Sequence, residues 1–283
     1  MLSIFTIPKP FQGHNKIIQR NAIQSWLQLK SRCEIMLFGD DAGVADAAKE
    51  LGITHIPFIG KNEFGTPLLS SAFSIAQKVS KNDILMYANS DVIFFQNLIK
   101  VVQGINKPLF LMCGRRWDLD VTEEIDFEDG EWTARLKEKV KKEGKRHGLS
   151  GMDYFIFPRN LVKMPAFAVG RPGWDSWLIY DMRIRKIPVI DATEAITVIH
   201  QNHDFSHSKF GEKKRVGGPE WQKNIEIAGG FTNMMTLRDA NWVLNENGLN
   251  RPTFTRRIYS ILSMFYLWRM LLATKRKWQN RFA

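Results

Sequence analysis

The chain has 283 residues, 40 Lys+Arg against 29 Asp+Glu, a net charge of +11, 44% hydrophobic residues and two cysteines. Length and apolar content suffice for a substantial core and exclude intrinsic disorder. Cys33 and Cys113 are too few and too far apart for a disulfide scaffold or a CxxC zinc site, which points to a reducing compartment. MLSIFTIPKP has no basic region followed by a long apolar one, so no secretory signal is expected there.

From the start, Leu2 to Ile7 reads as a buried strand that stops at Pro8 and Pro10. A helix follows from Asn15, with Ile17, Ile18, Ala22, Trp26 and Leu29 on one face and an end at Ser31 and Arg32. Glu34 to Phe38 is a second strand. Asp41 is placed to cap a helix from Ala42 to Leu51, stopped at Gly52. Thr54 to Ile56 is a third strand, Leu68 to Val79 a helix and Asp83 to Ala88 a fourth strand, with a second apolar run at Val92 to Phe95. This alternation predicts an α/β fold with a mostly parallel, doubly wound sheet whose ligands bind at the carboxyl ends of the strands. No glycine-rich phosphate loop occurs at those ends, which disfavours a dinucleotide-binding oxidoreductase or a P-loop NTPase. The second half offers the strand LFLMC, a strand at Tyr154 to Phe157, a helix from Trp174 to Arg185 and short strands at Val189 to Ile190 and Thr197 to Ile199.

The stretch NDILMYANSDVIFFQ delivers Asn89, Ser90 and Asp91 to a loop between two apolar runs. A carboxylate there can bind a hard cation together with phosphate oxygens, or simply cap the next turn. Position and neighbours resemble the GT-A (Rossmann-like) fold of nucleotide-diphospho-sugar glycosyltransferases of the family-2 type, over roughly residues 1 to 210. In that fold a DxD motif follows the fourth strand and holds a divalent metal on the donor diphosphate. Asn89-Ser90-Asp91 matches it with the first Asp replaced, leaving Asp91 as the charged member.

The resemblance implies roles for further residues. Asp40 and Asp41 match the acidic position that contacts the base or ribose, and Thr6, Pro8 and Lys9 the segment lining the nucleoside. Arg115 and Arg116, before Trp117 and Asp118, could pair with the diphosphate or with the acidic run that follows. Gly148 to Asp153 becomes a donor or acceptor loop, with Gly151 and Asp153 in the pocket. Asp175, between Trp174 and Trp177 at the start of a helix, matches the general base of inverting enzymes, and the indoles could stack on a sugar or sit in the core. Among His200, His203 and His207, His200 at a strand end matches best the histidine that joins Asp91 at Mg2+ or Mn2+, with the other two as replacements.

Charge is uneven. Residues 251 to 283 hold eight Lys/Arg and no acidic residue, which leaves +3 of the +11 to residues 1 to 250. Phe254, Ile258, Ile261, Phe265, Trp268 and Leu272 recur at steps of four and three, predicting one continuous basic amphipathic helix. Its apolar stretch, Ile258 to Trp268, is eleven residues where about 20 would be needed to span a bilayer. An anionic membrane surface therefore fits better than nucleic acid, whose phosphates do not call for Phe, Ile and Trp at helical spacing. The expected organisation is a transferase domain over 1 to 250, with a nucleotide-binding half over 1 to 113 and an acceptor-binding half over 114 to 250, and a membrane-associating tail over 251 to 283. The expected activity is metal-assisted transfer of a sugar from a nucleotide-diphosphate sugar to a glycan or lipid-linked acceptor at the cytoplasmic membrane face. A non-catalytic nucleotide-sugar or glycan-binding protein and a nucleotidyltransferase are the rivals; the latter's Gly- and Arg-rich first loop is not found in IPKPFQGH.

Overall fold

The computed structural model describes residues 2–29, 33–203 and 216–279. The α/β class and the mostly parallel sheet expected from the sequence are what the chain builds. In chain order come β1 (Leu2–Thr6), α1 (Gly13–Leu27), β2 (Cys33–Phe38), α2 (Val44–Glu50), β3 (Thr54–Ile56), α3 (Leu69–Val79), β4 (Ile84–Ala88), β5 (Val92–Phe94) and α4 (Asn97–Gln103). The second half adds β6 (Leu111–Cys113), β7 (Trp117–Leu119), α5 (Trp132–Glu143), β8 (Lys145–Arg146), β9 (Tyr154–Pro158), α6 (Trp174–Ile184), β10 (Val189–Asp191) and β11 (Val198–Gln201). It closes with α7 (Pro219–Ile227), 3-10 turns at Phe231–Asn233 and Leu237–Asp239, β12 (Trp242–Asn245), β13 (Gly248–Asn250), α8 (Phe254–Leu262) and α9 (Tyr266–Gln279).

Among the described residues, nine strands form one sheet in the order β13-β12-β10-β6-β9-β4-β1-β2-β3. β9 runs antiparallel to β4 and β6, and β13 antiparallel to β12; the remaining neighbours are parallel. Strands from both halves of the chain thus interleave in a single sheet. Alternation along each strand feeds two cores: Phe5, Leu85 and Tyr87 face α3 and α6, while Leu2, Ile4, Met86 and Ala88 face α1, α2 and α4. A smaller sheet, β5-β11-β7-β8, sits over the carboxyl ends and is backed by Trp132, Leu136 and Val140 of α5.

Two local expectations change. Asp41 does not cap α2: Gly43, at φ 81°, occupies that position, and the Asp41 carbonyl accepts from Val44 N–H at 3.1 Å. A Cβ on Gly43 would lie 3.0 Å from Phe11 Cβ, so the loops after β1 and β2 meet there through a glycine. The tail is two helices rather than one, broken at 263–265. The predicted end of α1 at Ser31 and Arg32 lies outside the described residues.

α1 is the element that fixes the site. Its inward face is polar as well as apolar: Gln19, Asn21, Ser25 and Trp26 are all fully buried. Trp26 Nε1 donates to Val92 O at 2.9 Å and Ser25 Oγ accepts from Phe94 N–H at 3.2 Å, which pins β5 immediately after Asp91. Trp26→Phe removes the donor and leaves a buried carbonyl unpaired. It is expected to cost about 1–3 kcal/mol in urea unfolding, with the far-UV spectrum unchanged.

Candidate active site

The carboxyl ends of β1, β4, β6 and β10 converge on one edge of the sheet, as their parallel alignment requires. β11 lies between β5 and β7, and its register sets His200 opposite Val92 on one side and Asp118 on the other. His200 is thereby held between two carboxylates. Its Nε2 lies 4.0 Å from Asp91 Oδ2 and its Nδ1 3.3 Å from Asp118 Oδ1.

Asp91 is 6% exposed. Oδ2 accepts from His203 Nε2 at 3.0 Å and lies 3.7 Å from Lys9 Nζ. Oδ1 is buried and has no hydrogen-bond partner among the described residues. Burial would raise this carboxyl's pKa, but His200, the His203 hydrogen bond and Lys9 outweigh it and hold the group well below the usual carboxylate range. The same His203 nitrogen lies 3.0 Å from Lys9 Nζ. One ring nitrogen can accept from the ammonium or donate to the carboxylate, not both at once.

Ligand atoms of Asp91, His200 and His203 lie within 4.8 Å of one another. An orphaned buried carboxylate oxygen and a doubly claimed imidazole nitrogen are what a divalent ion would satisfy. Two imidazoles with one carboxylate suit Mn2+ better than Mg2+, which prefers oxygen and water. Asp118 stands behind His200, and its other oxygen accepts from His147 Nδ1 at 2.7 Å. Burial would raise the Asp118 pKa, but His200, His147 and Arg116 together depress it. A carboxylate behind a ligating histidine orients the ring.

Asn89 is not a vacant ligand position. Its Nδ2 donates to Asp153 Oδ1 at 2.7 Å and its backbone N–H donates to Asp153 O at 2.9 Å. Arg116 bridges Asp153 Oδ2 at 2.6 Å and Asp118 Oδ1 at 2.8 Å. An Asp at 89 would place a second carboxylate against Asp153, so the Asn is the residue this pairing requires.

Asp175 sits in the first turn of α6. Its Oδ1 accepts from Ser176 N–H at 2.8 Å and, at 3.3 Å, from Gly173 N–H. Burial raises its pKa to about 6 against those backbone donors, and the Asp153 charge adds to the rise. The helix N-terminus favours the anion, yet desolvation wins here.

Other expected residues fall as follows. Thr6 and Pro8 are buried at the end of β1, and Lys9 reaches Asp91. Asp40 is exposed and paired with Lys61 at 2.6 Å beside a cleft of about 360 Å³ lined by Pro57, Phe58, Ile59 and Gly60; Asp41 is half-exposed. Ser90 is spent on the scaffold, donating to Gln19 Oε1 at 2.8 Å. Arg115 holds backbone, donating from Nε to His147 O at 2.7 Å and from N–H to Thr193 Oγ1 at 3.0 Å. Gly151 is required by a neighbour, since a Cβ there would lie 2.2 Å from the His147 ring. Trp174 is corrected from the acceptor surface to the core, with ring centroids 5.2 Å from Tyr87 and 5.1 Å from Phe155. Trp177 is half-buried against Phe167. His207 lies outside the described residues.

Sequence reasoning did not single out His147, Gln19 or the orienting place of Asp118. For Asp118 a signal exists: it follows Arg116 by two residues in extended chain, which puts both on one face. Asn89→Asp is expected to lower the unfolding free energy measured in urea by about 1–2 kcal/mol at pH 8 and by less at pH 5, where protonation of one carboxyl relieves the repulsion. Equal losses at both pH values would count against the pairing.

No family model matches the chain, and no curated protein matches it. Solved structures to which it is similar include glucosyl-3-phosphoglycerate synthase from Mycobacterium tuberculosis in complex with Mn2+, UDP-glucose and phosphoglyceric acid, at 14% identity over 80% of each chain and a TM-score of 0.46. Another is a mannosyltransferase from Pyrobaculum calidifontis in complex with GDP-Man and Mn2+, at 11% identity over 70% of this chain and 56% of that one, with a TM-score of 0.44.

Proposed function

We propose that the chain is a metal-assisted glycosyltransferase that takes a sugar from a nucleotide-diphosphate donor and passes it to a glycan or lipid-linked acceptor at the cytoplasmic face of a membrane. The observation that carries this reading is the pairing of opposites at one sheet edge. Asp91, with one oxygen unpartnered among the described residues, is held ionised among His200, His203 and Lys9, while Asp175 is held near a pKa of about 6. Carboxyl groups driven apart in this way divide the labour of binding a cation and accepting a proton.

Asp91, His200 and His203 would hold Mn2+ or Mg2+, which when bound offsets negative charge on the departing diphosphate. Lys9 adds a cation on the same side. Thr6, Pro8, Asp40 and Asp41 stand at the ends of β1 and β2, where a nucleoside would extend away from Asp91. Gly151, Asp153 and Trp177 border the acceptor side. Asp175 takes the proton of the acceptor hydroxyl as that oxygen bonds to the anomeric carbon on the face opposite the breaking bond to the nucleoside diphosphate, which leaves as the anion, a single displacement that inverts this centre.

UDP-, GDP- and TDP-sugars are to be screened by thermal shift and by nucleotide release, with EDTA and with Mn2+ or Mg2+ added back. Release that EDTA abolishes, that Mn2+ restores better than Mg2+ and that Asp91→Ala lowers at least about a hundredfold is the expected result. Binding of a donor without turnover on any acceptor would favour the non-catalytic reading. No shift with any donor would overturn both. A base must be deprotonated to act, so kcat/KM is expected to fall as pH drops below about 6. Asp175→Asn is expected to lose about 10²–10⁴-fold in kcat and to flatten that limb of the profile.

A further inference from the structure

The tail is folded with its sides reversed. Ser260, Ser263 and Arg269 are 2%, 1% and 9% exposed, whereas Phe254, Phe265, Leu267 and Leu271 are 74%, 61%, 75% and 67% exposed. Polar bonds hold the inner face on the body. Arg256 pairs with Asp191 Oδ2 at 2.8 Å and donates to Leu237 O. Arg183 donates to Ser260 O and Oγ at 3.1 and 3.0 Å, and Ser260 Oγ donates to Asp239 O at 2.9 Å. The apolar residues therefore face outward because the polar ones are committed inward. Phe254, Ile258, Ile261 and Phe265 line the outside of α8 and the turn after it, and Leu267 and Leu271 continue the strip along α9.

A contiguous exposed apolar strip marks a surface that is covered in use. Two occupants fit its shape: a second copy or a lipid surface. Charge decides between them. Residues 251 to 283 carry eight basic and no acidic residues. Arg256 and Arg269 are engaged within the fold, Arg251 and Arg257 are exposed, and Lys275, Arg276, Lys277 and Arg281 follow in the sequence. A two-fold dimer through this strip would set the same cations against themselves, whereas an anionic bilayer complements them. Among the described residues no helix is long and apolar enough to cross a membrane, so the pair lies in the interface plane.

We propose that α8 and α9 insert this outward strip into an anionic bilayer while their polar inner face stays locked to the body, so that the enzyme rides on the membrane in one fixed orientation. This deepens the membrane-side part of the proposed function, and its test does not depend on turnover.

The full chain is mixed with phosphatidylcholine vesicles and with 3:1 phosphatidylcholine:phosphatidylglycerol vesicles and sedimented. Preferential binding to the anionic vesicles is expected, with a loss of at least about tenfold in the double variant Leu267→Glu/Leu271→Glu, whose sites are exposed and outside the core. Equal binding to both vesicle types, or to neither, overturns the proposal. A concentration-dependent dimer in sedimentation velocity that the double variant abolishes also overturns it and assigns the strip to a second copy. As a second readout, Leu267→Trp fluorescence is expected to shift to the blue on anionic vesicles, and an unshifted spectrum counts against insertion. Donor thermal shift on the double variant stays at the wild-type value, which separates this failure from failure of the catalytic reading.

Discussion

The buried polar face of α1 is the constraint on which the site depends. Gln19, Asn21 and Ser25 are fully enclosed, and an enclosed amide or hydroxyl left unpaired costs about 1–3 kcal/mol. Each must therefore find its partner, and the partners lie on every segment around Asp91. Gln19 closes a pair of bonds on the Lys9 backbone, at 2.6 and 3.0 Å, and takes the Ser90 hydroxyl. Asn21 bonds Gln201 at 3.0 Å, Glu123 O at 2.9 Å and Ile125 N–H at 2.8 Å. Gln201 closes the circle by donating to Ile18 O and Asp91 O. One helix thus ties the loop after β1, the loop after β4, the strand carrying His200 and the acidic segment after β7 into one unit.

Within that unit the carboxyl groups are sorted by their partners. Asp91 and Asp118 are surrounded by imidazole, ammonium and guanidinium groups and stay ionised despite burial. Asp153 is bound at both oxygens by Arg116 and Asn89. Asp175 has backbone amides alone on Oδ1, and burial dominates. The difference arises from which strand end each residue occupies, since cations gather on the β5-β11-β7 side and the first turn of α6 lies away from them. Arg116 links the two groups by touching both Asp118 and Asp153.

The main sheet was legible because its signals are local: β-branched and aromatic runs for β1 to β4, and helical spacing between them. Asp91, His200 and Asp175 stand out as candidates because each lies at the end of a strand or the start of a helix, where the family resemblance expects site residues. What depends on distant partners could not be found. Nothing near Asn89 indicates Asp153, 64 residues away, so its amide reads as a degraded carboxylate rather than a donor. Gln19, Asn21 and Ser25 look like the wet side of α1; that the face is amide and hydroxyl rather than Lys and Glu was the available sign of burial. Trp174 and Trp177 have the spacing of both a sugar platform and a core anchor, and only packing separates these. In the tail, periodicity found the apolar residues but not the break at 263–265, which no Pro or Gly announces.

That break and the polar docking have a structural consequence for the site. Leu237 accepts Arg256 at its carbonyl and donates its N–H to Leu149 O at 3.2 Å. Leu149 is the second residue of the turn in which Gly151 N–H bonds Gly148 O, and that turn leads to Asp153. Asp191, the partner of Arg256, uses its other oxygen for Thr193, whose hydroxyl accepts the Arg115 N–H. Two short bonded paths therefore run from α8 to the segments that carry Arg116 and Asp153. A tail that hung free would strip Asp191, Arg183 and the Leu237 and Asp239 carbonyls of their α8 partners, and the turn at Gly148 would lose one of its supports. The polar inner face is thus part of the scaffold of the site, and only the apolar outer face is left for an external partner.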